Sequence, residues 1–117
     1  MIIIDKFLAL FSGIIDRLSI FWKNIVNRIK KAVDKIKEVL RREPVGVKTF
    51  IEKTHDGFKD IAKCYIVNEK TREYEEIVYK KDVNERDVPK HILEKANRQK
   101  LNVEVSTTEE LQLELNS

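Results

Sequence analysis

Phe7-Leu-Ala-Leu-Phe11-Ser-Gly-Ile14-Ile-Asp-Arg-Leu18-Ser-Ile-Phe21-Trp22-Lys-Asn-Ile25-Val-Asn-Arg-Ile29-Lys-Lys-Ala-Val33-Asp-Lys-Ile36-Lys-Glu-Val-Leu40 is the stretch on which the reading of this chain turns. At about 100° per residue its large apolar side chains stay in phase from Phe7 to Leu40, recurring at spacings of three and four. With Ile15 and Val26 at the edge they fill an arc of roughly 160°, wider than a two-stranded coiled-coil seam. The periodicity predicts one amphipathic helix over residues 3–41, with Ser12-Gly13 as its one weak point and Arg41-Arg42 before Glu43-Pro44-Val45-Gly46 as its end.

Downstream the signals turn to strands. Val47 to Thr54 and Phe58 to Val67 flank the turn residues His55-Asp56-Gly57, and Glu73 to Lys80 forms a third run rich in β-branched and aromatic residues. Residues 47–66 also fit helical spacing, but the interior Gly57 and the Thr, Val and Ile content favour a three-stranded meander. Asp87-Val88-Pro89 opens a short helix to about Arg98, with Asp87 as N-cap. Leu101 to Val105 alternates like an edge strand, and Thr107 with Glu110 makes a capping box before a short C-terminal helix. The expected fold class is therefore α+β: a long N-terminal amphipathic helix, a small antiparallel β-meander and a short C-terminal helix. Residues 1–43 read as an interaction element and residues 44–117 as a small α+β domain with an acidic tail.

Length and composition narrow the function. The 117 residues suit one domain, and 42% hydrophobic residues are enough to build a core. The single cysteine, Cys64, forms no internal disulfide and suggests a reducing compartment, so a cytoplasmic location is expected. The N-terminus lacks the basic region and cleavage site of a signal peptide. The longest uncharged run near the N-terminus, Phe7 to Ile15, falls far short of the ~20 residues a membrane span requires. The net charge of +3 divides unevenly. Residues 1–43 carry ten Lys and Arg against five Asp and Glu, whereas no basic residue follows Lys100. The basic helix and acidic tail are expected to meet each other rather than a nucleic acid, since acids interrupt the basic run and no reader motif is present.

Catalysis would have to use His55, His91, Cys64 and the acids. His55-Asp56 falls in a turn, Cys64 in an apolar strand, and His91 among ordinary helical neighbours. Two histidines and one cysteine without ligand spacing make no zinc site, and three isolated glycines make no phosphate loop. Neither an enzyme, a cofactor, a metal nor a small-molecule substrate is expected. What remains is the helix. A straight helix of this length would run ~57 Å, beyond the ~35 Å breadth of a compact domain of this size. Its overhanging apolar side chains would then need a partner. Phe7, Phe11, Ile14, Leu18, Phe21, Trp22, Ile25, Ile29 and Ile36 are accordingly expected to bind a protein partner or a second copy, in an accessory, inhibitory or regulatory subunit. Alternatively the helix lies in an anionic membrane surface, with Arg17, Lys23, Arg28, Lys31 and Lys35 flanking the apolar arc and a peripheral location following. A fold-back of the helix at Gly13 would remove the need for either.

Overall fold

The apolar N-terminal segment forms helix, but in two pieces. The structure, a computed structural model, describes residues 1–117 and is α+β. A two-residue strand β1 (Ile2–Ile3) leads into helix α1 (Ile4–Ile14), a 3-10 turn (Ile15–Arg17) and helix α2 (Ile20–Leu40). The single long helix is thus corrected. Leu18 and Ser19 are extended, with ψ of 148° and 163°, and α2 restarts from Ser19, whose carbonyl accepts the Lys23 N–H. The break lies just beyond Gly13, which stays helical. It removes the overhang, since the molecule measures 40 × 32 × 21 Å and a 21-residue α2 spans only ~32 Å. With the chain turned here, Phe7, Ile14, Leu18, Phe21 and Trp22 all reach one core, which a straight rod could not do. α2 ends at Leu40, where Arg41 adopts a left-handed conformation (φ 53°) before the buried Pro44.

The meander expected from the strand signals is present: β2 (Gly46–Thr54), β3 (Gly57–Val67) and β4 (Tyr74–Val83), all antiparallel. His55-Asp56 forms the first hairpin tip, and Gly57 supplies a φ of +134° that side chains disfavour. In the second turn the Asn68 side chain accepts from the Lys70 and Thr71 N–H groups. β5 (Glu104–Ser106) pairs with β2 on the edge that β1 also uses, so the sheet has five strands with β4 at its outer margin.

Alternation decides the two faces of the sheet. On β3, Phe58, Asp60, Ala62, Cys64 and Ile66 are buried beneath α2, while Lys59, Ile61, Lys63, Tyr65 and Val67 point to the open side. Of these Ile61 alone is buried, between Phe50 and Lys80 of the neighbouring strands. Helices α3 (Lys90–Asn97) and α4 (Thr108–Leu115) complete the covered side, α3 and α4 against β2 and α4 also against α1. One cluster of 25 buried residues draws on both sides of residue 43, so residues 1–43 are not packed apart from residues 44–117.

Two expected caps differ. Asp87 sits in a 3-10 turn (Glu85–Asp87) capped by Asn84, and α3 starts after Pro89 without a side-chain cap. Thr107 does precede α4, but its hydroxyl donates to Thr49 Oγ1 at 2.9 Å instead of capping. Both hydroxyls are buried, so each is satisfied best by the other.

Candidate functional site

Eight of the nine residues expected to bind a partner lie in the chain's own core. Phe7, Ile14, Leu18, Phe21, Trp22, Ile25, Ile29 and Ile36 are all buried, and only Phe11 is half-buried. Phe21 and Trp22 meet edge to face at 4.9 Å between ring centroids. The apolar arc of the long segment is therefore satisfied within the molecule by the sheet and by α4.

The five flanking cations separate. Arg17 is exposed and donates to the Gly13 carbonyl at 3.3 Å, Lys23 is half-buried, and Lys31 and Lys35 are exposed. Arg28 does not flank a lipid face. It turns into the helix–sheet interface and forms an ion pair with the buried Asp60 of β3. Its Nε and Nη2 are buried without hydrogen-bond partners, so this pair is only partly compensated. The sequence carried a signal for it. Asp60 is the lone acid in the inward-facing row Phe58-Asp60-Ala62-Cys64-Ile66, and Arg28 stands at the border of the apolar arc.

The acidic tail does not ion-pair with the N-terminal helices. Glu110 pairs with Lys95 at 2.9 Å and Glu104 with Lys63 at 2.6 Å. On the open sheet face Lys63 also lies 4.7 Å from the Phe50 ring centroid, and its ammonium is held above its ordinary pKa chiefly by the bond to Glu104. Burial, then the Glu76 carboxylate, pushes the Tyr65 hydroxyl up to about 12. These charges neutralise one another across the face.

His55 is exposed in the first hairpin, His91 is exposed on α3, and Cys64 is buried in β3, where burial raises its thiol to about 11. That protonated, inaccessible thiol is a poor nucleophile. No group of three or more His, Cys, Asp and Glu side chains is placed to hold a metal ion. No helix is long and apolar enough to cross a membrane. The hollow lined by Ile2, Phe7, Leu10 and Leu115 encloses about 130 Å³, below the ~300 Å³ at which small-molecule pockets begin, and the three wider hollows, of about 420 to 480 Å³, are open to the surface.

Two surfaces remain unusual. The first is the outward side of α1. From Phe7 to Ile15 the chain carries no charge; Leu8, Leu10, Phe11 and Ile15 are half-buried with their inner sides packed on the core, and Ala9, Ser12 and Gly13 are exposed between them. Leu113, exposed to 72%, projects from α4, which packs against α1. The second is the bare outer edge of β4. Comparison with protein-family models, with curated proteins and with solved structures finds no match for this chain.

Proposed function

We propose that this chain is a non-catalytic binding protein that captures a protein partner through the outward side of α1. The observation that supports the reading is the uncharged run from Phe7 to Ile15 on a helix whose inner side is already packed. In a chain with 37% charged residues, eleven helical residues with charges only at Asp5 and Lys6 depart from the ordinary solvated surface helix. After Lys6 the exposed positions of α1 are the small, uncharged Ala9, Ser12 and Gly13, flanked by half-buried Leu8 and Phe11, a surface that a partner can cover without desolvating a charge. Phe11 is the anchor, being the one aromatic residue of the N-terminal segment that is not buried. An accessory or regulatory role follows, with binding itself as the activity.

The test places a photoreactive phenylalanine analogue at Ser12, on this side of α1, and in a second chain at the exposed Glu38 on α2. A cross-link from position 12 to one defined protein, competed by the parent chain but not by Phe11→Asp, is the expected result. Equal labelling from both positions overturns the proposal. So does labelling at position 12 only by anionic phosphatidylglycerol vesicles, which would move the reading to a lipid interface flanked by Lys6 and Arg17.

A further inference from the structure

The edge strand β4 carries a charge pattern that is complementary to itself. It pairs only with β3, in unbroken one-to-one register from Val67↔Tyr74 to Phe58↔Val83. Ten residues therefore present a backbone edge without proline or bulge, and what guards it is its charged side chains, Glu75, Glu76, Lys80, Lys81 and Asp82, which repel any partner whose charges do not match them. The strand reads Tyr74-Glu75-Glu76-Ile77-Val78-Tyr79-Lys80-Lys81-Asp82-Val83. About Val78, acids on one side stand at the same distances as bases on the other.

We infer that β4 is the interface of a homodimer, in which two copies pair antiparallel about Val78 and join their sheets. In that register Glu76 faces Lys80 of the second copy and Glu75 faces its Lys81. The two-fold axis repeats both pairs, giving four ion pairs, with Ile77 opposite Tyr79 and Val78 opposite Val78 between them. The neighbouring registers fail. Centring on Tyr79 sets Glu76 against Asp82, centring on Ile77 leaves both acids facing apolar residues, and a parallel in-register pairing sets like charges together.

The faces agree with this pairing. Glu75, Ile77, Tyr79 and Lys81 lie opposite the buried Ile66, Cys64, Ala62 and Asp60, so they belong to the helix-covered side. Lys81 there lines a polar hollow of about 420 Å³ with Asn24, Asn27, Arg28 and Lys31. No carboxylate lines this hollow, and of its three cations only Arg28 has an ion-pair partner, Asp60. Glu75 of the second copy would bring the missing negative charge beside Lys81. On the open side, Lys80 reaches Glu52 and Glu104 only at 3.9 Å, which leaves its ammonium available. Glu75 accepts from Arg42 and Asn68, and Glu76 from the Tyr65 hydroxyl. A carboxylate has lone pairs for further donors, so these bonds orient the acids without exhausting them.

The inference is independent of the role given to α1. It is tested by molar mass in solution, using light scattering across a concentration series. The parent should dimerise, and Phe11→Asp should dimerise equally. Lys80→Glu with Lys81→Glu makes β4 acidic at both ends, and Glu75→Lys with Glu76→Lys makes it basic at both ends. Each double variant should fold by circular dichroism yet dissociate about tenfold or more readily than the parent, because like charges then face each other. Mixed one to one, they should form a heterodimer, since every facing pair is again opposite in sign. That rescue can come only from folded chains. A parent that stays monomeric at about 0.5 mM, double variants that dimerise as the parent does, or a mixture that stays monomeric would each overturn the inference.

Discussion

Helices α1 and α2 are continuous in their apolar periodicity and different in everything opposite it. α2 buries eight of its 21 residues and sets Lys31, Asp34, Lys35 and Glu38 in water on the other side. α1 buries three of eleven, Ile4, Phe7 and Ile14, and sets Ala9, Ser12 and Gly13 outward with half-buried Leu8 and Phe11. The lesson is that the period of a helix identifies its inward side, whereas the composition of the remaining side tells whether that side is finished by water. α2 is finished along its middle, with Ile20, Val39 and Leu40 exposed only at its two ends. α1 from Phe7 to Ile14 has no charge to finish it, and this asymmetry of charge supports assigning binding to α1 and folding to α2.

The largest effect should separate the two helices directly. Ile29 is fully buried, so Ile29→Asp places an unpaired carboxylate in the core of a domain whose stability is on the order of 5–15 kcal/mol. Several kcal/mol are lost, and the variant should show no cooperative urea transition or fail to accumulate in soluble form. Phe11→Asp, at a half-buried site, should keep its transition and lose about 1 kcal/mol. If both substitutions unfold the chain alike, the distinction between a structural and a presenting helix is gone.

Much of this arrangement was legible from the residues. The α+β class, the His55-Asp56 hairpin and the third strand follow from period-2 runs between turn residues, and the helix end from Pro44. The break over Ile15–Ser19 was foreshadowed only by the weak point at Ser12-Gly13, because the apolar row keeps its phase straight through it. Its cause is tertiary: only a turned chain lets Ile14, Leu18 and Phe21 share one core with the sheet. That missed turn is why an arc of core residues read as an overhanging interface, with Phe11 alone half-buried. Thr107 was read as a cap because local spacing cannot see Thr49, 58 residues away, which takes its hydroxyl instead. The Arg28–Asp60 pair and the self-complementary β4 were visible as charges, but their meaning needed the parity of the sheet.

A second, smaller effect probes the α2 side through pH. Cys64 lies in the core on β3, the strand against which α2 packs. Burial raises its thiol from 9.0 to about 11, so the unfolded chain loses this proton first. Bound protons then favour the folded state. The contribution is complete below pH 9, declines by about 1.4 kcal/mol per unit as pH rises from 9 to 11, and is flat above. Tyr65, raised from 10.0 to about 12, extends the decline in the same direction. Urea unfolding of the parent between pH 8 and 11 should show this loss, and Cys64→Ala should flatten it between pH 9 and 10. An identical slope in both chains would mean that the thiol is hydrated in the folded state, and that the core beneath α2 is open to water.

The smallest expected change in stability is the sharpest on the role of α1. Ala9 is exposed, and Asp5 lies four residues before it on the same helix. Ala9→Lys therefore gains an acid–base pair in the favourable order, worth about 0.2–0.5 kcal/mol, against a small loss of helix propensity. Its net effect on urea unfolding should lie within about 0.5 kcal/mol, as for Asn24→Asp on the solvated side of α2. The two variants should differ in binding. The lysine adds the only charge between Lys6 and Asp16 and requires desolvation wherever that side of α1 meets an apolar partner, so it should abolish cross-linking from position 12. Asn24→Asp adds a charge to a side already rich in them and should leave that cross-link unchanged. A loss of more than about 1 kcal/mol in Ala9→Lys would show that the outward side of α1 is packed within this chain, and the contrast between the helices would then lie in their composition alone.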